Sequence, residues 1–236
     1  MQNKFDIKNF LLDLLFPRFC FGCHQEGSYL CEDCRAILEI SQYQYCLCYK
    51  PIRVIRGGKC STCASKKLNG IYSAVSYRNK LVQALIKNFK YEPFVKELAK
   101  PLAQLMTDHF QLLDTMPDFS GFALVAIPLE KKKMRKRGFN QAEEIAKELS
   151  LFLNLPLLKN VLIKTKETVS QTELSEFNRL ENIKGVFQCP NPEIVQDKKI
   201  LLIDDVYTTG ATMNEAARIL KEAGAKQVWG VTVARG

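Results

Sequence analysis

The apolar run Ile200-Leu201-Leu202-Ile203 ends abruptly on two acids, Asp204-Asp205. Such a run fits a strand covered on both faces inside a parallel sheet. A helix is expected soon after, from near Thr212 to about Lys221, with Ala211, Met213, Ala216, Ala217, Ile219 and Leu220 supplying its apolar residues. Gly224 then stands where a left-handed cap ends a helix. The same grammar recurs along the chain. Strands are expected at Ile71–Tyr77, Phe122–Ile127 and Gln227–Val233. Helical stripes are expected on Leu81, Leu85, Ile86 and Phe89, on Leu98, Leu102, Leu105 and Met106, and over Asn140–Phe152 with Ile145, Ala146 and Leu149 inward. Strands alternating with helices predict an α/β fold, a parallel sheet flanked by helices.

The segment between the strand and the last helix, Asp204-Asp205-Val206-Tyr207-Thr208-Thr209-Gly210-Ala211, carries chemistry. Adjacent carboxylates can take the vicinal hydroxyls of a ribose. A helix start offers backbone N–H groups and partial positive charge to an anion. Thr208, Thr209 and Thr212 add hydroxyls, Gly210 allows close backbone approach, and Ala211 opens the helix. Ligands of open α/β sheets sit beyond the carboxyl ends of strands, where this turn lies. The expectation is a site for a sugar carrying a 5′-phosphate; the plain alternative is an ordinary polar βα loop.

Eight of the nine cysteines read as metal ligands. Cys20-x2-Cys23 with Cys31-x2-Cys34 forms one set, and Cys46-x-Cys48 with Cys60-x2-Cys63 a second. Paired knuckles can present four thiolates tetrahedrally to a structural Zn²⁺. The x1 spacing of Cys46 and Cys48 is unusual, and ligation within each set or interleaved between them both stay open. Cys189 reads as an incidental thiol before Pro190. A module this short cannot bury a full core, so metal would supply much of its folding energy. The expected division is residues 1–68, an N-terminal helix and zinc module, and residues 69–236, the α/β domain.

Three blocks carry a family resemblance: Arg137-Gly138-Phe139-Asn140-Gln141, the segment from Lys164 through Lys166, Thr168, Gln171 and Leu174 to Arg179, Asn182, Gly185 and Phe187, and Ile203 to Thr212. The last resembles the signature of type I phosphoribosyltransferases, which bind phosphoribosyl pyrophosphate (PRPP). All three in this order, behind a cysteine cluster, resemble the ComF/ComFC family of competence proteins. Lys164 stands where that family more often has Arg.

The resemblance implies a type I phosphoribosyltransferase-like sheet and several roles. Asp204 and Asp205, as the catalytic pair, would orient ribose with Mg²⁺ that accompanies PRPP. Thr208, Thr209, Gly210, Ala211 and Thr212 would hold the 5′-phosphate. Backbone at Leu129, with Arg137 and Lys166, would hold pyrophosphate. It also implies natural transformation as the setting, with incoming single-stranded DNA and a DNA-translocase ATPase of the competence machinery as partners. The alternative is an active phosphoribosyltransferase in nucleotide salvage or synthesis, and whether the pocket turns over is left open.

Lys131, Lys132, Lys133, Arg135 and Lys136 exceed what one pyrophosphate needs, so they are the expected DNA surface; the plain alternative is a solvated basic loop. Bulk charge argues less. The formal +9 would fall to about +5 with two filled four-thiolate zinc sites. Tyr43, Tyr45 and Tyr49, near Lys50, Arg53 and Arg56, offer rings for bases to stack on, or for packing around the knuckles. With 47% hydrophobic and 25% charged residues the chain reads as soluble and globular, and no apolar stretch is long enough for a transmembrane segment. A cytoplasmic location is expected. Peripheral contact with the inner face of the membrane stays open through the short apolar run Phe5–Phe16.

Overall fold

The computed structural model describes residues 16–54, 58–165 and 183–236. The run Phe5–Phe16, apart from Phe16, therefore lies outside the described residues, as do Arg56, Lys166 and the rest of the stretch to Asn182. The chain forms two compact units, Met1–Glu39 and Ile40–Gly236. By compactness the second cysteine set shares a unit with the sheet. The division between 68 and 69 is one of sequence character, and as a division of folding modules it is a proposal.

In the first unit, a bridge between Phe19 and Glu26 and a bond from the His24 N–H to the Cys20 carbonyl (2.9 Å) fold the first knuckle. Helix α1 (Glu32–Ala36) carries the second, with the Cys31 sulfur accepting from the Cys34 N–H.

The second unit is built on four parallel strands: β1 (Gly70–Ser76), β2 (Phe122–Ala126), β5 (Lys199–Tyr207) and β6 (Gln227–Arg235), in the order β1-β6-β5-β2. Strands β3 (Ile163–Lys164) and β4 (Phe187–Gln188) form a separate antiparallel pair. The apolar run of β5 behaves as its composition predicts. Ile200 and Leu202 join one core cluster with Met213, Ala216 and Leu220 of helix α6 (Ala211–Glu222). Leu201 and Ile203 point the other way by the two-residue period and are also fully buried. Helix α3 (Ala99–Leu112) packs on β1 and β6, and α5 (Gln141–Leu153) on β5 and β2. Leu47, Cys46 and Cys63 belong to the same core cluster as Ile200 and Met213, so the second cysteine set is part of the domain's interior.

Both outer edges of the sheet are occupied. Leu124 of β2 receives a bond from the Leu158 N–H (2.9 Å) and donates to the Pro156 carbonyl (2.8 Å). On β1, the Ser41 N–H donates to the Ala74 carbonyl (2.7 Å), beside a bridge between Ile40 and Val75.

Helix α2 (Lys80–Lys90) starts at Asn79, whose side chain accepts from the N–H groups of Leu81 and Val82. Its buried stripe is Val82, Leu85, Ile86 and Phe89; Val82 takes the place expected for Leu81. The basic run forms a helix as well, α4 (Lys131–Arg137), rather than a loop. Lys, Met and Arg are good helix formers. Gly138, at φ 77°, ends it in the left-handed region, with its N–H on the Met134 carbonyl (2.9 Å).

Candidate functional site

Strand β5 runs on past its apolar residues, so the acid pair sits at the strand's carboxyl end. The Asp205 N–H donates to Asp204 Oδ1 (2.9 Å). Asp205, 6% exposed, pairs through Oδ1 with Lys90 Nζ at 2.7 Å. Burial, then the neighbouring Asp205 charge, push the Asp204 carboxyl up to about 7, against the pull of Lys90, a backbone bond and Lys164. Burial pulls Lys90 down, but the Asp205 carboxylate outweighs it and the net direction is up.

The turn after β5 is shaped by two residues. Gly210 has φ 78° and caps α6; a Cβ there would lie 2.2 Å from the Tyr207 hydroxyl oxygen, so any side chain would have to displace Tyr207 and hold a strained backbone. Thr209 Oγ1 accepts from the Ala211 N–H (3.3 Å) and fixes the first turn. Tyr207 is 1% exposed and forms the floor beneath this turn.

The Arg137–Gln141 segment has a structural role at every position. Gly138 ends α4. The Phe139 ring lies 5.5 Å from that of Phe89. Asn140 donates to the Ile127 carbonyl (2.9 Å), holding the loop after β2, and accepts from the Ala142 N–H to cap α5. Gln141 donates to the Phe89 carbonyl (3.0 Å) and accepts from Arg137 Nη1 (2.9 Å). Arg137 lies over the Tyr91 ring at 5.5 Å. The segment therefore clamps the end of α2, and with it Lys90, against the loop after β2.

That loop ends in Glu130, 7% exposed, whose Oε2 has no hydrogen-bond partner among the described residues. Lys133 Nζ stands 3.7 Å from this oxygen and Lys164 Nζ 3.9 Å. Burial and the nearby Lys133 hold Lys164 below the usual lysine range.

A cavity of about 540 Å³ collects these groups. Asp204, Asp205, Thr208 to Thr212, Leu129 and Arg137 all line it. Of the basic run before Arg137, Lys133 reaches the cavity; Lys131 lines a second one of about 270 Å³ that shares Leu129 with the first, and Lys132, Arg135 and Lys136 are exposed on α4. Lys166 lies outside the described residues. Lys90, Glu130 and Tyr91 also line the cavity, and sequence reasoning gave them no part in it. A lysine in the last turn of an amphipathic helix reads as a solvated cation, so no local signal marks Lys90.

The cysteines form two separate groups, Cys20/Cys23/Cys31/Cys34 and Cys46/Cys48/Cys60/Cys63, the sulfurs of each within 4.8 Å of one another. Interleaving does not occur. Tetrahedral zinc at a Zn–S distance of about 2.3 Å requires sulfurs about 3.8 Å apart. Contacts of 3.5 Å (Cys23–Cys31), 3.4 Å (Cys48–Cys60) and 3.6 Å (Cys60–Cys63) fit that tetrahedron and none is a disulfide. Backbone bonding from Cys63, then the Cys48 side chain, lower the Cys60 thiol to about 6, whereas burial and its neighbours push Cys48 up to about 12. Four thiolates in one group require a cation, and either cluster can bind a metal ion such as zinc. The x1 spacing is accommodated because a bridge between Tyr45 and Arg53 and the Cys46 N–H bond to Ile52 turn the chain sharply. Arg53 is engaged over the Tyr43 ring (3.6 Å) and with Asp114 (2.6 Å); Tyr49 is exposed.

Among the described residues no helix is long and apolar enough to cross a membrane. The family model described as "Phosphoribosyl transferase domain" matches residues 134–236. Competence protein F of Haemophilus influenzae is 35% identical over 46% of this chain and 49% of its own length. Competence protein ComFC of Streptococcus pneumoniae is 29% identical over 86% of both chains. The DNA utilization protein YhgH of Escherichia coli K12 is 35% identical over 45% of this chain and 47% of its own. The chain thus spans about half the length of the Haemophilus and Escherichia relatives and most of the pneumococcal one.

Proposed function

From the premise that the chain belongs to the ComF/ComFC family of competence proteins and carries a phosphoribosyltransferase domain, we propose that it handles incoming single-stranded DNA in the cytoplasm during transformation. Its pocket takes PRPP, or the 5′-phosphate end of a strand. One observation carries this reading. The acid pair, the threonine turn at the start of α6 and the cations Lys90, Lys133, Lys164 and Arg137 converge on a single cavity, although they come from separate stretches of the chain. In that cavity Asp204 and Asp205 take the ribose hydroxyls and the 208–212 turn takes the terminal phosphate. Leu129, Lys133, Lys164 and Arg137 surround the pyrophosphate, and Lys166 is assigned to the same group by the family resemblance alone. Asp204 and Asp205 would hold the Mg²⁺ that accompanies PRPP, and the ion would supply charge neutralisation. Each cysteine group holds a structural zinc. Exposed Lys132, Arg135 and Lys136 track the DNA backbone away from the cavity, and delivery to a translocase ATPase follows from the family setting.

A second reading, an active phosphoribosyltransferase, draws on Asp204. A carboxyl near 7 is suited to general acid–base work beside a departing pyrophosphate. Titrating PRPP and 5′-phosphorylated single strands by calorimetry, separately and in competition, tests the first reading. Mutual exclusion that is lost in the Asp204→Asn/Asp205→Asn variant is the expected result. Absence of PRPP binding by the folded wild type refutes it. Pyrophosphate release with one acceptor class would establish the second.

A further inference from the structure

The second cysteine group lies directly under the turn assigned to the phosphate. Three side chains engage three consecutive backbone carbonyls of its first knuckle. The Tyr207 hydroxyl donates to the Leu47 carbonyl at 3.0 Å. Arg235, at the end of β6, donates through Nη1 to the Cys46 carbonyl (2.8 Å) and through Nη2 to the Cys48 carbonyl (2.5 Å). Lys66 Nζ also donates to the Leu47 carbonyl. The Arg235 guanidinium lies 5.1 Å from the centre of the Tyr207 ring, so the two contacts support each other. On its other side, Tyr207 is so close beneath Gly210 that a methyl group could not be inserted between them.

This linkage is short and rigid. Metal bound by Cys46, Cys48, Cys60 and Cys63 fixes the direction of the Cys46, Leu47 and Cys48 carbonyls. Those carbonyls hold the buried Tyr207 hydroxyl and Arg235. The Tyr207 ring sets the height of Gly210, where α6 begins and the anion is held. Without the metal the knuckle loses its common centre, and a buried hydroxyl loses a fixed partner, which is costly. The turn above it then has no fixed floor.

We infer that the second cysteine group acts on the pocket: its metal occupancy sets the affinity of the 208–212 turn for phosphate, with Tyr207 and Arg235 as positioning residues. The inference rests on the proposed PRPP reading of the pocket and adds a control to it. Because coupling between two sites is reciprocal, bound PRPP must also retain the metal in this group. The first group belongs to the other compact unit.

The test uses the full zinc-loaded chain. Zinc release to a chromogenic chelator is followed with and without saturating PRPP, and PRPP affinity is measured by calorimetry on the same samples. In the wild type, PRPP raises by about 5-fold or more, the lower end of typical coupling, the chelator concentration that removes half of one group's zinc at equilibrium, and leaves the other group's unchanged. Tyr207→Phe keeps the ring beneath Gly210 and removes the hydroxyl. It still binds PRPP, more weakly, but protects its zinc less than twofold. Arg235→Lys, which loses the two-carbonyl fork, shows the same loss and guards against a folding artefact in the first variant. If PRPP binds the wild type and the zinc affinities of both groups ignore it, the inference falls while the pocket reading stands. If PRPP does not bind the folded wild type, both fall.

Discussion

Replacing Asp204 by Asn should stabilise the ligand-free protein at pH 8 while abolishing PRPP binding. The carboxyl's value rises from an ordinary 3.8 to about 7 in the folded state, chiefly through burial. The folded state therefore binds the extra proton, and stability falls as pH rises from about 4 to about 7. A shift of this size is worth at most about 4 kcal/mol. Because the side chain keeps some contact with solvent, about 1–3 kcal/mol is the expected gain for the neutral amide at pH 8. At pH 5 the folded carboxyl is already protonated, and the gain should shrink to less than half. Urea unfolding of both proteins at pH 5 and pH 8, without added Mg²⁺ or phosphate, gives the four stabilities. Their double difference cancels the groups that titrate independently of this carboxyl. Equal destabilisation of the variant at both pH values would refute the argument, since it would mean that the ionised acid is well accommodated without a ligand.

Lys90→Met leaves Asp205 buried without its cation and should cost about 2–4 kcal/mol in chemical denaturation, somewhat below the full value for breaking a buried pair because Lys90 is partly exposed. Adding Asp205→Leu to that variant should recover part of the loss. Gly210→Ala sets a methyl group against Tyr207 at positive φ; a drop of about 2 kcal/mol or more in thermal stability is expected, together with loss of PRPP binding by calorimetry. Neutralising Lys132, Lys133, Arg135 and Lys136 together should flatten the salt dependence of single-strand binding by about 0.7 in log–log slope for each phosphate no longer neutralised; an unchanged slope would place the DNA surface elsewhere.

What was legible in the sequence was local. The β5 run, its acids, the threonine turn and the α6 stripe all lie within one short stretch, where period and cap chemistry decide the structure. The cysteine groups were also legible, even at the unusual Cys46-x-Cys48, because ligation constrains spacing only loosely when the chain between knuckles can turn. Long-range partners were not. Lys90 reaches Asp205 only because Phe139 and Gln141 fasten the end of α2 beside the loop after β2. Nothing near Tyr207 or Arg235 announces that their partners are backbone carbonyls of a knuckle far earlier in the chain. The Arg137–Gln141 segment was legible as a block, but its work as a clamp was not, since each bond is made to a different element. The basic run was expected on the surface and Lys131, Lys132, Arg135 and Lys136 are there, but its helical form brings Lys133 round to Glu130.

Short pieces of chain lie along both outermost strands, Ile40–Ser41 against β1 and Pro156–Leu158 against β2. A bridge on each outermost strand means that part of each ladder is already taken. Self-templated growth along the sheet is thereby discouraged, because an incoming strand would first have to displace these segments.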